Sequence, residues 1–476
     1  MPDLLRSAIL LLLLCSCTLG PDYRRPEVEA PPAWRVTYAA AADLIDLAWW
    51  RQFDDPVLDE LIASGLAGNL DLLAATARVD QYLGQWRTTR AELYPQLGAG
   101  AAVARQDDSD AGPAPPADPY SFYQAGLNAS WEIDLWGRLR RTNEAARAEM
   151  LASEAGRRSV LLNLVANLAG GYVRLRGFDR QLEIARETER AYAESLRIFR
   201  LRHQHGTVSR VEVSQVESEY ENARQTIPQL EAQIAQQEHL LSLLLGRSPQ
   251  AIPRGRKIDE LSSPGIPAGL PSQLLEQRPD IIQAEQALIA ANARLGVARS
   301  LYFPQISLTG AFGASSIDSG RLFASGSQFW QVGADALAPI FTFGAIEGQV
   351  MTAEAAQREA LHRYRQAIVA AFRDVEDALA ATTKGRESRA AKERRVAALA
   401  TYARLARSQY DAGTTSYLQV LDANRSLFAG QLDFVQTQTA VLSSLVDVYR
   451  SLGGGWLDSA DREAADGSGQ PLSSRP

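Results

Sequence analysis

The chain has 476 residues, 46% of them apolar and 22% charged. That excludes a chain disordered throughout and leaves room for about three ordinary domains or one long unusual one. Its 49 Lys and Arg against 56 Asp and Glu give a net charge of −7, the reverse of the basic excess a nucleic-acid binder shows. The only two cysteines, Cys15 and Cys17, exclude a disulfide scaffold and a Cys-rich metal site, and four His with three Met leave little for a soft metal.

The chain opens with Arg6 and the apolar stretch Ala8 to Leu14, too short to cross a bilayer as a helix. It ends in Leu14-Cys15-Ser16-Cys17, which resembles the lipobox of bacterial lipoproteins. The resemblance implies removal of residues 1–16 as a signal peptide, then a diacylglycerol and an N-acyl chain on Cys17. Several chains anchor stably where one does not, at about 0.8 kcal/mol per buried CH2. Thr18 follows instead of the aspartate that marks inner-membrane retention, so outer-membrane sorting is expected. Asp3 offsets Arg6, so the leader is not net positive and the position of the start codon stays open.

The mature part repeats itself. Tyr94-Pro95-Gln96-Leu97 returns as Phe303-Pro304-Gln305-Ile306, Leu135-Trp136-Gly137 as Thr342-Phe343-Gly344, and Gly206-Thr207-Val208-Ser209 as Gly413-Thr414-Thr415-Ser416. The offsets are 209, 207 and 207, near-constant spacing that marks a tandem duplication. The expected boundaries are a first repeat over 17–248, a Pro/Gly-rich linker over 249–271, a second repeat over 272–456, and a polar, disordered tail over 457–476.

Within each repeat the elements follow from periodicity. Residues 122–134 alternate, with Tyr123, Ala125, Leu127, Ala129, Trp131 and Ile133 on one face and Gln124, Asn128, Glu132 and Asp134 on the other; this is the strand signal. Trp330, Val332, Ala334, Ala336, Ala338 and Ile340 repeat it against Gln331 and Asp335. Strands are expected over about 94–106, 120–134, 302–314 and 328–340, with Tyr94 and Tyr302 as aromatic residues at strand ends. No proline interrupts 120–227 or 340–470, so a helix from about Gly137 to His203 could extend about 100 Å. Its apolar residues are spaced by three and four, Leu161, Leu164, Leu168, Gly171 and Leu175, and the pattern recurs from Leu418 through Leu421, Arg425, Phe428 and Val435 to Tyr449. Such a repeat packs helices as coiled coils. Helix reversals are expected at about 201–212 and 408–419, around Gly206 and Gly413, with Thr207, Ser209, Thr414 and Ser416 as caps of the following helices. Pro228 is expected to kink or break the returning helix.

The strands carry an apolar face with aromatic residues and a polar face, as outer-membrane strands do. Four strands cannot close a barrel, and open edges are not tolerated in lipid, so neighbouring chains must complete it; three chains supply twelve. A soluble four-stranded sheet on a coiled-coil stalk is the competing architecture.

The segments CTLGPDYRRPEV at 17–28 and LPSQLLEQRPDIIQAEQALIAANARLGVARSLYFPQISLTGAFG at 270–313 resemble the TolC-like outer-membrane efflux proteins, in their lipoprotein branch (NodT/OprM-like). The resemblance covers about residues 17–456. It implies a mainly α fold in which long helical hairpins form an α-barrel and four strands per chain join a trimeric 12-stranded β-barrel. It implies a homotrimer in the cell outer membrane, lipid-anchored at Cys17, with a tunnel projecting into the periplasm. The partners implied are a periplasmic adaptor and an inner-membrane pump of the proton-driven RND type, with no cofactor beyond the covalent lipid. The trimer would be a passive exit duct for small toxic molecules, not an enzyme. No nucleophile–base pair, phosphate loop or metal constellation is visible in the sequence. The exit duct of a type I protein-secretion system and a non-conducting structural trimer are the alternatives.

In that family the hairpin tips hold the gate and the adaptor contacts. The motif YDAGTTSYLQVLDA places Tyr410, Thr415, Gln419 and Asp422 at gate positions, and HGTVSRVEV places Glu212 opposite. Thr415 stands where the best-known pattern has an arginine and Gln419 where it has an aspartate, so the closed-state lock is expected to differ. Asp422 would form an acidic ring around a three-fold axis, and Asp422→Ala would raise leak of hydrophilic dyes. Leu201, Gly206, Thr207, Val208, Ser209, Gly413, Thr414, Ser416 and Leu418 are the expected adaptor contacts.

Overall fold

A computed structural model describes residues 18–27, 48–107, 119–265 and 277–453. The signal peptide 1–16, Cys17, the tail 457–476 and part of the 249–271 segment lie outside the described residues. Seven α-helices and four strands follow one another in those residues: α1 (Pro56–Gly68), α2 (Leu70–Ala91), β1 (Gln96–Gln106), β2 (Tyr120–Ile133), α3 (Arg138–Gln204), α4 (Arg210–Leu244), α5 (Pro279–Ser300), β3 (Gln305–Ser316), β4 (Gln328–Leu337), α6 (Ala345–Asp411) and α7 (Tyr417–Ser451). They recur in pairs of equal length: α3 and α6 have 67 residues each, α4 and α7 have 35, and α2 and α5 have 22. At 1.5 Å per residue α3 and α6 are each about 100 Å long. No helix among the described residues is apolar and long enough to cross a membrane.

The chain divides into two compact units. One, built from Ala77–Glu154, Gln283–Arg365 and the N-terminal residues, holds the sheet, which is antiparallel in the order β1-β2-β3-β4. Its register puts Ala99, Leu127, Phe312 and Trp330 in one row across the strands and Ala101, Ala125, Ala314 and Gln328 in the next. The alternation predicted for β2 and β4 is therefore in phase, and Leu97 and Val103 of β1 and Leu308 and Phe312 of β3 fall on the same face. β4 stops at Leu337 rather than near 340, because Pro339 has no N–H to donate to a ladder. Tyr94 and Tyr302 fall in the turns that precede β1 and β3, not on the strands. After β2 the Asp134 carboxylate accepts from the backbone N–H of Leu139 and Arg140 and starts α3.

The other unit, Glu29–Thr76, Ala155–Ile282 and Gln366–Pro476, is helical among its described residues. The seam residues Leu161, Leu164, Leu168 and Leu175 are buried there with Val446 and Tyr449, as their spacing predicts. Leu418 and Arg425 are exposed instead; the buried stripe of α7 runs through Tyr417, Val420, Leu421, Phe428 and Val435. Trp49, fully buried, stacks on Tyr449 with ring centroids 5.0 Å apart. α4 runs uninterrupted through Pro228, so the proline costs a hydrogen bond without breaking the helix. The described part of the Pro/Gly-rich segment is packed, with Ile252 and Ile258 buried in the main core.

Candidate functional site: the hairpin tips and the sheet face

The two reversals are built alike. Gly206 and Gly413 have φ of +71° and +72°, the left-handed conformation that ends a helix cheaply only at glycine. The Gly206 N–H donates to the His203 carbonyl and the Thr207 N–H to the Arg202 carbonyl; Gly413 and Thr414 do the same to Tyr410 and Gln409. The Thr207 and Thr414 hydroxyls donate to those same carbonyls of Arg202 and Gln409. These two threonines therefore close the preceding helices rather than cap the following ones. His203 Nδ1 lies 3.0 Å from the Val208 carbonyl oxygen.

The serines differ from each other. Ser209 caps α4 in a full capping box, its Oγ accepting from the Glu212 N–H while the Glu212 carboxylate accepts from the Ser209 N–H. Glu212 is thus engaged with its own helix start. Ser416 sits at the N-cap of α7 with no side-chain hydrogen bond. We expect Ser209→Ala to cost about 1 kcal/mol and to fray the first turn of α4. Ser416→Ala should cost clearly less, and hydrogen exchange of the two first turns compares them directly.

Beneath the tips one apolar cluster draws on all four helices of the hairpins: Tyr192, Leu196 and Phe199 of α3, Val213 and Val216 of α4, Ala403 and Ala406 of α6, and Tyr417, Val420 and Leu421 of α7. The Tyr192 hydroxyl is buried without a hydrogen-bond partner in the described residues, and burial pushes its phenol above the ordinary value. Burial likewise raises Tyr417. At the surface of this cluster the Arg202 guanidinium donates to the Tyr410 hydroxyl at 2.8 Å. It also lies 5.9 Å from the Phe199 ring centre. Phe199 packs on Tyr417 at 4.2 Å and Tyr417 meets Tyr410 edge-on at 5.0 Å. Arg202 of the first hairpin thereby holds Tyr410 of the second. Sequence reasoning missed Arg202; its only signal was a basic residue in the last turn of α3.

Of the other expected gate residues, Thr415 donates to the side-chain carbonyl of Gln419. Both stand on one hairpin. Asp422 is half-buried and pairs with Arg425, one turn on, at 2.8 Å. Leu201, Gly206, Thr207, Ser209, Gly413, Thr414, Ser416 and Leu418 are exposed, and Val208 is half-buried against the cluster.

In the sheet the predicted apolar face is bare. Leu97 is 82% exposed, Val103 74% and Trp330 77%. The opposite face carries Gln124, Asn128, Gln331 and Asp335, and Glu132, which Arg138 holds at 2.6 Å. Within the described residues β1 pairs only with β2 and β4 only with β3, so both outer edges are open. No group of His, Cys, Asp and Glu among the described residues could hold a metal ion.

A family model described as "Outer membrane efflux protein" matches residues 61–247 and again 270–454. The cation efflux system protein CusC of Escherichia coli is 36% identical over 451 residues, covering 94% of this chain and 97% of CusC. The toluene efflux pump outer membrane protein TtgC of Pseudomonas putida is 35% identical over 465 residues, 96% of each chain. Among solved structures, the open-state outer membrane channel MtrE of Neisseria gonorrhoeae superposes with a TM-score of 0.85 at 32% identity, covering 92% of this chain and 99% of MtrE.

Proposed function

This chain belongs to the outer membrane efflux protein family and is an outer-membrane channel component of an efflux pump, and we propose that three copies form its conduit. The observation that carries the proposal is the open sheet. A four-stranded sheet with an exposed apolar face and two unpaired edges cannot stand in lipid, where every backbone N–H and C=O needs a partner. β1 and β4 of successive copies would run antiparallel, so three copies close a 12-stranded barrel. The apolar face then meets lipid and the face with Gln124, Asn128 and Asp335 lines a wet lumen.

The helical hairpins of the three copies would form a periplasmic α-barrel. Its tips carry the gate, held shut by contacts such as Arg202 to Tyr410, and the exposed residues at Gly206 and Gly413 dock a periplasmic adaptor. Energy comes from an inner-membrane pump of the proton-driven RND type, and the duct itself performs no catalysis. Relatives named for a cation and for toluene are equally similar to this chain, which supports placing solute selectivity in the pump. Cys17 carries the lipid that anchors each copy in the outer membrane.

Chemical cross-linking and light scattering of the full-length protein in detergent should give three times the mass of one chain, and planar bilayers should show discrete conductance steps. A folded, conducting monomer with a self-closed sheet would overturn the trimer.

A further inference from the structure

The residues after Cys17 do not leave the body of the protein freely. The Leu19 N–H donates to the Trp136 carbonyl at 3.0 Å, just before α3. Asn292 of α5 donates from Nδ2 to the Pro21 carbonyl at 2.8 Å. Arg141 of α3, itself almost fully buried, pairs with Asp22 at 2.6 Å. Glu285 of α5 accepts from the Tyr23 hydroxyl at 3.0 Å and pairs with Arg25 at 3.1 Å, and Arg25 also reaches the Tyr364 hydroxyl at 3.3 Å. Burial beside the Glu285 carboxylate pushes the Tyr23 phenol above its ordinary value. Gly20, at φ +92°, lies so close to Gly296 that a Cβ on Gly20 would come within 2.6 Å of the Gly296 Cα.

The place where this segment begins is chemically distinctive. Trp136 packs on Phe303 at 4.8 Å and donates to the Pro304 carbonyl at 2.8 Å, and Trp131 donates to the Leu93 carbonyl at 3.1 Å. With the exposed Tyr94 and Tyr302, they gather indoles and phenols where strands give way to helices, as aromatic girdles do at a membrane–water interface. Thr18 is seated here against Gly137. The duplicated position in the second repeat, Gly344, has the same left-handed backbone but nothing within 4 Å of where its Cβ would be. The duplication made two such seats, and the N-terminal segment fills one.

We propose that residues 18–25 are a docked strap that holds the lipid anchor at the depth of the strand–helix junction, with Arg141 and Glu285 as its positioning residues. Undocked, the 38 residues from Thr18 to Asp55, just before α1, could reach on the order of 100 Å, and the acyl chains would set no depth for the sheet. Docked, Cys17 is one peptide bond from a residue fixed at the interface, so the acyl chains enter the leaflet that borders the strand–helix junction. The proposal rests on the acylation of Cys17.

The test uses the full-length protein exported with its own leader and labelled with radioactive palmitate. Arg141→Ala/Glu285→Ala removes the dock from the body, and Asp22→Ala/Tyr23→Phe removes it from the exposed strap, where folding of the body is not at stake. Trypsin added to outer-membrane fragments can cut the strap after Arg24, whereas Pro26 protects the bond after Arg25. We expect every protein to carry label and both variants to release the labelled peptide 17–24 at least about tenfold faster than wild type, since cleavage after Arg24 follows the population of the opened segment. Equal rates of release of that peptide in wild type and both variants would overturn the strap alone; a wild type without label would overturn the acylation on which it depends.

Discussion

Arg202→Ala should raise the resting permeability of the channel on the order of a hundredfold. Arg202 is the residue that bonds Tyr410 across the two hairpins, through a 2.8 Å charge-assisted hydrogen bond, while its guanidinium rests near Phe199. The tip is exposed, so the bond and the cation–π contact together are worth about 1 kcal/mol per chain. Three copies acting on one closed state would lose about 3 kcal/mol together, and 1.4 kcal/mol is a factor of ten. Tyr410→Phe removes the same bond and should show a similar rise. Asp422→Ala should do less than its place in the family motif suggests, because its carboxylate is held by Arg425 on its own helix. Single-channel recordings and uptake of a large hydrophilic dye measure all three; an Arg202→Ala channel that folds and stays as tight as wild type would refute the latch.

Asp55→Ala should destabilise the helical unit by about 3–5 kcal/mol. Asp55 is 1% exposed and caps α1 by accepting from the Val57 N–H at 3.0 Å. It also accepts from the Tyr172 hydroxyl at 2.8 Å and the Arg256 N–H at 2.9 Å, and Tyr172 in turn accepts from the Gly255 N–H at 2.8 Å. One carboxylate thus ties α1, α3 and the segment after α4 into a single buried knot. Alanine would leave three donors without an acceptor, each costing about 1–3 kcal/mol when water cannot replace it. Tyr172→Phe strands only one backbone N–H and should cost about 1–2 kcal/mol. Urea unfolding in detergent followed by helical ellipticity compares the two; a loss near 1 kcal/mol for Asp55→Ala would show that water reaches the knot.

The duplication is legible from motifs that return at offsets of 207 to 209, and the long helices and the strand alternation are legible from periodicity, because each is set by neighbours two to seven residues apart. Leu161 through Leu175 could be assigned to a buried seam for that reason. Leu418 and Arg425 could not be excluded from it, since a three-four spacing does not say which of two adjoining stripes faces the partner helices. The tip glycines were equally legible, because a left-handed reversal has a residue signature. The roles of the tip threonines were not, since a hydroxyl beside a turn can bond forward or backward with equal ease.

By itself the sequence determined the elements and an apolar sheet face too incomplete to stand alone, which depend on local stereochemistry and on alternation along the strand, and the repeat, which shows as motifs recurring along the chain. The tertiary structure decided which polar groups meet. Arg202 with the Tyr410 hydroxyl, Arg141 with Asp22, and Asp55 with the Arg256 N–H are separated by 208, 119 and 201 residues. Polar pairing at such separations leaves no period in the chain, and only the packed helices bring each donor within reach of its acceptor.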